Sequence, residues 1–421
     1  MFRFTDIIIF HVTRDCNLHC KYCFMKKILE QYPGEIIDYE LYKKIIEQII
    51  AQKKINRSEN ALKLIFHGGE PLLVGKKLLY KMADYAVGRF KEESLELELG
   101  LQTNASLIDE EFAKIFNKFD IHIGLSFDGI NSDKSRDVKL DIFEQKFDLF
   151  KKYKVAFGVL LVLGRHNIDN LKDTIKYLEE KEIKGYKFSY VEDMFNPGEN
   201  SKIELDGKTL FNKAFKILLE HFLENGTLYE FYTQELLQRA ILDIMFTNPP
   251  TFKTGCGGKI CGSAISMIAI DPDGTVNYCD RWAEEYDEIY VMNALDYDFL
   301  GLYQIKRALD FTQIKHKALL QTGCDTCYAD YICNHGCISF YYSKYGKWGI
   351  DKRIVCGLHE AFYSFVLENL DSFLSKMAEI NYSFSIAKSS LILKQNVRHI
   401  IRNLKIKFEI DDNELKIHKQ M

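Results

Sequence analysis

The placement of cysteine constrains this chain more than any other feature of it. Three cysteines, Cys16, Cys20 and Cys23, stand together near the start with the spacing C-x3-C-x2-C. None follows from residue 24 to residue 255. The other eight, Cys256, Cys261, Cys279, Cys324, Cys327, Cys333, Cys337 and Cys356, all fall in the last part of the chain. A total of 11 suits a disulfide framework poorly but divides into a trio and two quartets. Four thiolates saturate one iron–sulfur cluster, so each quartet can hold a closed cluster. A trio leaves one iron open to a small molecule. That partition points to an enzyme with one reactive cluster and two buried ones.

Composition narrows the setting. A chain of 421 residues exceeds the usual single domain, so two domains, or one with an appendage, are expected. A net charge of −4 gives no global attraction to nucleic acid or an anionic membrane, and neither is expected as a partner. The first apolar run, residues 7–10, is too short for a secretory signal and is followed by His11 and Arg14. No apolar run reaches the roughly 20 residues a membrane span needs. The expected location is the cytoplasm, where many cysteines signify metal binding or redox chemistry rather than disulfides.

From residue 6 to about 191 apolar, β-branched runs alternate with amphipathic stretches. The runs lie at 7–12, 63–67, 97–102, 122–127, 155–163 and 186–191. Between them, at 39–51, 77–90, 109–116, 143–153 and 168–180, apolar residues recur at helical spacing, as with Leu41, Ile45, Ile46 and Ile49. Such alternation predicts βαβ units and a parallel sheet, either open or a partial barrel of six units. Polar motifs follow four consecutive strands: the trio, then His67-Gly68-Gly69-Glu70, then Gln102-Thr103-Asn104, then Ser126-Phe127-Asp128-Gly129. Parallel sheets build their sites at C-terminal strand ends, so these motifs are expected to share one pocket.

With Tyr22 before its last cysteine, the trio resembles the signature of the radical S-adenosylmethionine (radical SAM) superfamily, and Gly68-Gly69-Glu70 resembles its glycine-rich motif. Toward the C-terminus, Cys261-x12-Gly274-x4-Cys279, Cys324-x2-Cys327-x5-Cys333-x3-Cys337 and Cys356 resemble the SPASM domain of peptide- and protein-modifying members. The resemblance implies an α/β fold, a partial (β/α)6 TIM-like barrel over 1–235. A SPASM domain with two auxiliary clusters would follow over 236–365, and an extension over 366–421. Cys16, Cys20 and Cys23 would hold a [4Fe-4S] cluster whose open iron takes S-adenosylmethionine. Reduction would then free a 5′-deoxyadenosyl radical. Gly68, Gly69 and Glu70 would meet the methionine end of the cofactor, and Ser126 and Asp128 its ribose or carboxylate. Asn104 and Tyr22 join these contacts, and residues 22–24 with 159–163 would wall the adenine. By the same resemblance Cys256, Cys261, Cys279 and Cys337 would hold one auxiliary [4Fe-4S] cluster. Cys324, Cys327, Cys333 and Cys356 would hold the other, and Asp280 would take the substrate proton or pair with Arg281 or Lys259.

The implied activity is hydrogen abstraction from a residue of a ribosomally made precursor peptide, ending in a thioether or carbon–carbon crosslink. The alternatives are formylglycine formation from Cys or Ser in a sulfatase, and a non-enzymatic zinc or iron–sulfur redox module. Implied partners are a reductant such as flavodoxin or ferredoxin and a separate leader-binding protein. Two departures count against a sulfatase substrate: His67 stands where sulfatase-maturating relatives carry Gln, and the stretch after Asp128-Gly129 is short. In the tail, Lys394, Arg398, Arg402 and Lys405 share one face of an expected helix opposite Val397, Ile400, Ile401 and Leu404.

Overall fold

The computed structural model describes residues 5–56, 61–192, 200–245, 261–281, 292–296, 300, 312–313, 315–345, 349, 352–380, 383–386 and 407–410. Six strands, β1 (Ile7–Thr13), β2 (Leu62–Gly68), β3 (Leu97–Thr103), β4 (His122–Ser126), β5 (Phe157–Leu163) and β6 (Tyr186–Tyr190), pair in parallel and in sequence order. The expected α/β fold with a parallel sheet is the one observed. β7 (Met267–Ile270) extends the sheet, parallel to β1, and leads antiparallel into β8 (Thr275–Asn277) and β9 (Met292–Asn293).

The local reasons are plain in the sequence. β1 reads Ile-Ile-Ile-Phe-His-Val-Thr and is buried almost throughout, as a strand covered on both faces must be. In β2 and β5 burial alternates, so each strand gives one face to the helices and the other to the interior. Connecting helices α1 (Tyr39–Asn56), α2 (Gly75–Glu92), α3 (Glu110–Lys118), α4 (Leu140–Tyr153) and α5 (Leu171–Glu180) carry the chain between parallel strands. α3 begins where Asp109 accepts from the backbone N–H groups of Glu111 and Phe112. Asp109 is the cap of α3. Phe127 packs edge-on against Phe143 of α4, with ring centroids 4.8 Å apart. Each such buried ring contributes about 1.5–3 kcal/mol.

Both domain boundaries expected from the sequence fall inside helices, 235/236 in α6 (Phe231–Met245) and 365/366 in α7 (Lys352–Glu368). Both helices are anchored in shared packing. Tyr363 of α7 donates to Asp243 of α6 at 2.7 Å, and Phe362 packs on Phe211 and Phe215. The tail holds two short parallel strands, Ser383–Ile386 and Lys407–Ile410. The expected helix with Lys394, Arg398, Arg402 and Lys405 lies outside the described residues.

Candidate active site at the C-terminal strand ends

The cysteine loop leaves β1 and is tied at once to the loop leaving β2. Gly69 N–H donates to Thr13 O at 3.1 Å, and Glu70 N–H donates to Asp15 O at 2.8 Å. Glycine is required at both preceding positions. Gly68 has a φ of 129°, and a Cβ there would drive into the Thr13 carbonyl; one on Gly69 would drive into that of Asp15. Cys16, Cys20 and Cys23 line one cavity with Gly68, Gly69, Asn104 and Ser126, and Tyr22 lines it too. The four strand-end motifs thus meet as the sequence predicts.

All three thiols of the trio are free. Burial pushes Cys16 up to about 11 and Cys20 up to about 12, with Arg136 pulling Cys20 the other way. Protonated thiols gathered in one wall are a poor arrangement for water and a good one for a thiophilic metal cluster, whose binding releases those protons. The donor set therefore fits the iron–sulfur cluster that the spacing implies. The glycine pair leaves room beside it for a cofactor.

Two expected cofactor contacts lie elsewhere. Glu70 is fully buried, and its oxygens accept from Leu72 N–H at 3.1 Å, Thr103 Oγ1 at 2.8 Å and Asn104 N–H at 2.8 Å. It joins the loops after β2 and β3 instead of facing the cavity, and burial lifts its carboxyl to about 7. Asp128 is likewise buried. It accepts from the Tyr22 hydroxyl and from Ser135 Oγ at 2.7 Å, and pairs with Arg136 Nε at 3.1 Å. Its role is to orient Tyr22 and Arg136, whose guanidinium stands 3.8 Å from Cys20 Sγ. A carboxylate deep in a core needs such partners. Of the wall expected along β5, Leu160 and Val162 line the cavity, whereas Val159, Leu161 and Leu163 turn into the core by strand alternation.

A second cavity adjoins the first. Cys261, Cys279, Cys337 and Asp280 line it, and Ser189, Tyr190, Glu192 and Arg281 line both. Burial raises Cys279 and Cys337 well above the ordinary thiol range. Asp280 lies 3.9 Å from Arg281 Nε, whose guanidinium also lies 3.8 Å from Glu192 and stacks 4.5 Å over the Phe24 ring. The expected pairing with Arg281 is present. Lys259 and Cys256 lie outside the described residues. Cys324, Cys327 and Cys356 are within electrostatic reach of one another, and burial lifts Cys356 to about 11. Cys333 is buried and lies beside Tyr190 and Tyr232. Among the described residues no three His, Cys, Asp or Glu side chains close around a point suited to a single ion. No helix among them is long and apolar enough to cross a membrane.

Arg136, Glu192 and Tyr190 escaped the sequence analysis, and Arg281 entered it only as a partner for Asp280. Each lies outside a cysteine or glycine motif and reaches the site only through the fold. His67 lines the cavity.

The Radical SAM superfamily model matches residues 10–201. A cysteine-type anaerobic sulfatase-maturating enzyme of Clostridium perfringens is 24% identical over 376 residues, covering 87% of this chain and 97% of that protein. The solved structure of native anSMEcpe with bound AdoMet superposes with a TM-score of 0.68 at 21% identity, over 86% of this chain and 98% of that one. Streptococcus suis SuiB bound to precursor peptide SuiA gives 0.58 at 17% identity, over 83% and 75%. The superfamily match begins within β1 and ends past β6, so it takes in every strand end described above. The expectation of a non-enzymatic redox module falls with it: this chain carries a radical SAM domain and is a radical SAM enzyme.

Proposed function

We propose that this enzyme oxidises one side chain of a bound polypeptide by two electrons. The observation that carries the reading is the junction of the two cavities at Ser189, Tyr190, Glu192 and Arg281. A residue held above the trio there also stands beside Cys279 and Asp280. When bound, a cluster on Cys16, Cys20 and Cys23 with S-adenosylmethionine would supply hydrogen abstraction. Clusters on Cys256, Cys261, Cys279 and Cys337 and on Cys324, Cys327, Cys333 and Cys356, in a SPASM-type region, would supply a sink for the remaining electron.

The chain's own residues do the rest. Gly68 and Gly69 let the cofactor approach the backbone, while Asn104, Ser126 and Tyr22 shape its seat. Leu160, Val162 and Phe24 keep water from it. Asp280, which lies beside Arg281, accepts the proton that leaves the substrate after the hydrogen atom. The substrate then loses a hydrogen atom, a proton and an electron, which is a two-electron oxidation. A one-electron carrier such as flavodoxin or ferredoxin would reduce the enzyme, and a separate leader-binding protein would present a leader-bearing peptide.

Two products fit this scheme. A thioether or carbon–carbon crosslink in a ribosomal precursor peptide accords with His67 and the short stretch after Asp128-Gly129. Formylglycine from Cys or Ser accords with the sulfatase-maturating relatives that match almost their whole length. Exact mass after anaerobic incubation with reduced enzyme and S-adenosylmethionine decides between them. Loss of two hydrogens with all sulfur retained indicates a crosslink, and replacement of the thiol by an aldehyde indicates sulfatase maturation. Cofactor cleavage with no change in any peptide would overturn the reading.

A further inference from the structure

We infer that His67 is a substrate-binding hydrogen-bond donor, held in place by a buried His11–Asp271 pair behind it. The inference rests on the polypeptide-oxidising reading above and names a contact that reading lacks. Three neighbouring strands carry the side chains. β2, β1 and β7 lie side by side, and His67 pairs with His11 in register. Asp271 directly follows Ile270, the register partner of Phe10. Strand pairing by itself therefore sets His67, His11 and Asp271 in a row at the end of the sheet that holds the cysteine trio.

Hydrogen bonds assign the protons along this row. Asp271 Oδ1 lies 2.7 Å from His11 Nδ1. Its Oδ2 takes Arg14 at 3.0 Å and Asn277 Nδ2 at 2.7 Å. Burial works to raise the Asp271 carboxyl, but His11 and Arg14 outweigh it and hold it below the usual range. An ionised Asp271 places a proton on His11 Nδ1. The other His11 nitrogen, Nε2, is buried with no hydrogen-bond partner, and the ring stands 5.7 Å from that of His67.

His67 Nδ1 accepts from Gly68 N–H at 2.8 Å, so the neutral ring carries its proton on Nε2. Burial, then the neighbouring His11 and Arg281, push His67 down to about 4, with Asp280 pulling the other way. His67 is thus neutral near pH 7. With Nδ1 already used, Nε2–H is the polar atom this cavity-lining residue has to offer. It is a donor, neither a base nor a cation. The ligand it fits is an acceptor on the residue undergoing oxidation: a carbonyl oxygen, a hydroxyl or a thiol sulfur. Asp280 would receive the proton, and His67 would fix the residue that gives it.

The test compares wild-type holoenzyme with His67→Leu and His67→Gln, each reconstituted and supplied with S-adenosylmethionine. Fluorescence anisotropy follows the binding of two labelled probes, a cysteine-bearing sulfatase peptide and its serine-bearing counterpart. Leu keeps the bulk and removes the donor; Gln places an amide N–H near the former Nε2. The expected result is roughly tenfold weaker binding for Leu, the size of one hydrogen bond to a satisfied partner. Gln should restore affinity to within about threefold by supplying that bond again. In turnover, Leu raises KM more than it lowers kcat. Equal binding by Leu and wild type overturns the inference, as does a Gln variant as weak as Leu, since shape alone would then explain the loss. A wild-type enzyme that binds neither peptide overturns the polypeptide reading itself, and that result is distinct because no variant is needed to see it.

Discussion

The two cysteine regions of this molecule hold their thiols by different means. The trio hangs on regular architecture: β1 and β2 end side by side, their loops exchange backbone hydrogen bonds, and a glycine pair allows the close approach. The later described cysteines sit on turns, in a short 3-10 segment, just past a three-residue strand, just before one helix and inside another. In the first region the sheet builds the site, and a metal cluster would fill a place already made. In the second, few main-chain ladders define the positions, so the geometry depends on a bound group to cross-link it. Sites on strand ends are stiff, whereas sites on turns are shaped by what they bind.

Replacing one ligand in each region probes this contrast most severely. Cys20→Ser should abolish S-adenosylmethionine cleavage, measured as 5′-deoxyadenosine, while the thermal unfolding curve hardly moves. Cys337→Ser should leave some cleavage but lower the melting temperature. Equal melting shifts in both variants would break the comparison. Next in size is Asp280→Asn, expected to preserve cofactor cleavage and reduce peptide product by about 10²–10⁴-fold, the range for loss of a general base. Product at the wild-type rate would remove Asp280 from proton transfer.

Gly69→Ala should destabilise the β1–β2 junction by about 1–3 kcal/mol, because its Cβ meets a carbonyl that cannot rotate away. Chemical denaturation would measure this. Two buried carboxyls should bend the pH dependence of stability in opposite directions. Asp271, held below its reference value of 3.8, stabilises the fold above that pH, and the contribution is lost as pH falls below it. Glu70, lifted from 4.5 to about 7, does the reverse: its folded form retains a proton that the unfolded chain has lost, so stability declines as pH rises through about 7. Asp271→Asn should flatten the acid limb of a stability profile, and Glu70→Gln the neutral limb. Smallest of all, Lys76→Ala breaks exposed, solvent-screened contacts to Asp109 and Glu111 and should leave the denaturation midpoint unchanged within error.

The barrel-like half was legible because its signals are local. Period-two and period-3.6 patterns mark the strands and helices, and C-x3-C-x2-C and Gly-Gly mark where the chain must bind or bend. The intrachain partners of Glu70 and Asp128 were not legible for a physical reason: a carboxyl beside a glycine motif looks the same in sequence whether it meets a ligand or three donors of its own chain. Arg136 carried no signal, since its value comes from standing 3.8 Å from Cys20, a residue 116 positions earlier.

The sequence by itself determined the six parallel strands, the strand-end location of the site and the thiols available to clusters, because hydrophobic period and ligand spacing are properties of neighbouring residues. Only the tertiary structure decided which polar groups face the cavity and which are used up inside. It set Arg281 between two cavities and placed His67, His11 and Asp271 in one row. Those outcomes depend on the register of three strands far apart in the chain. Burial then decides the charge each group can keep.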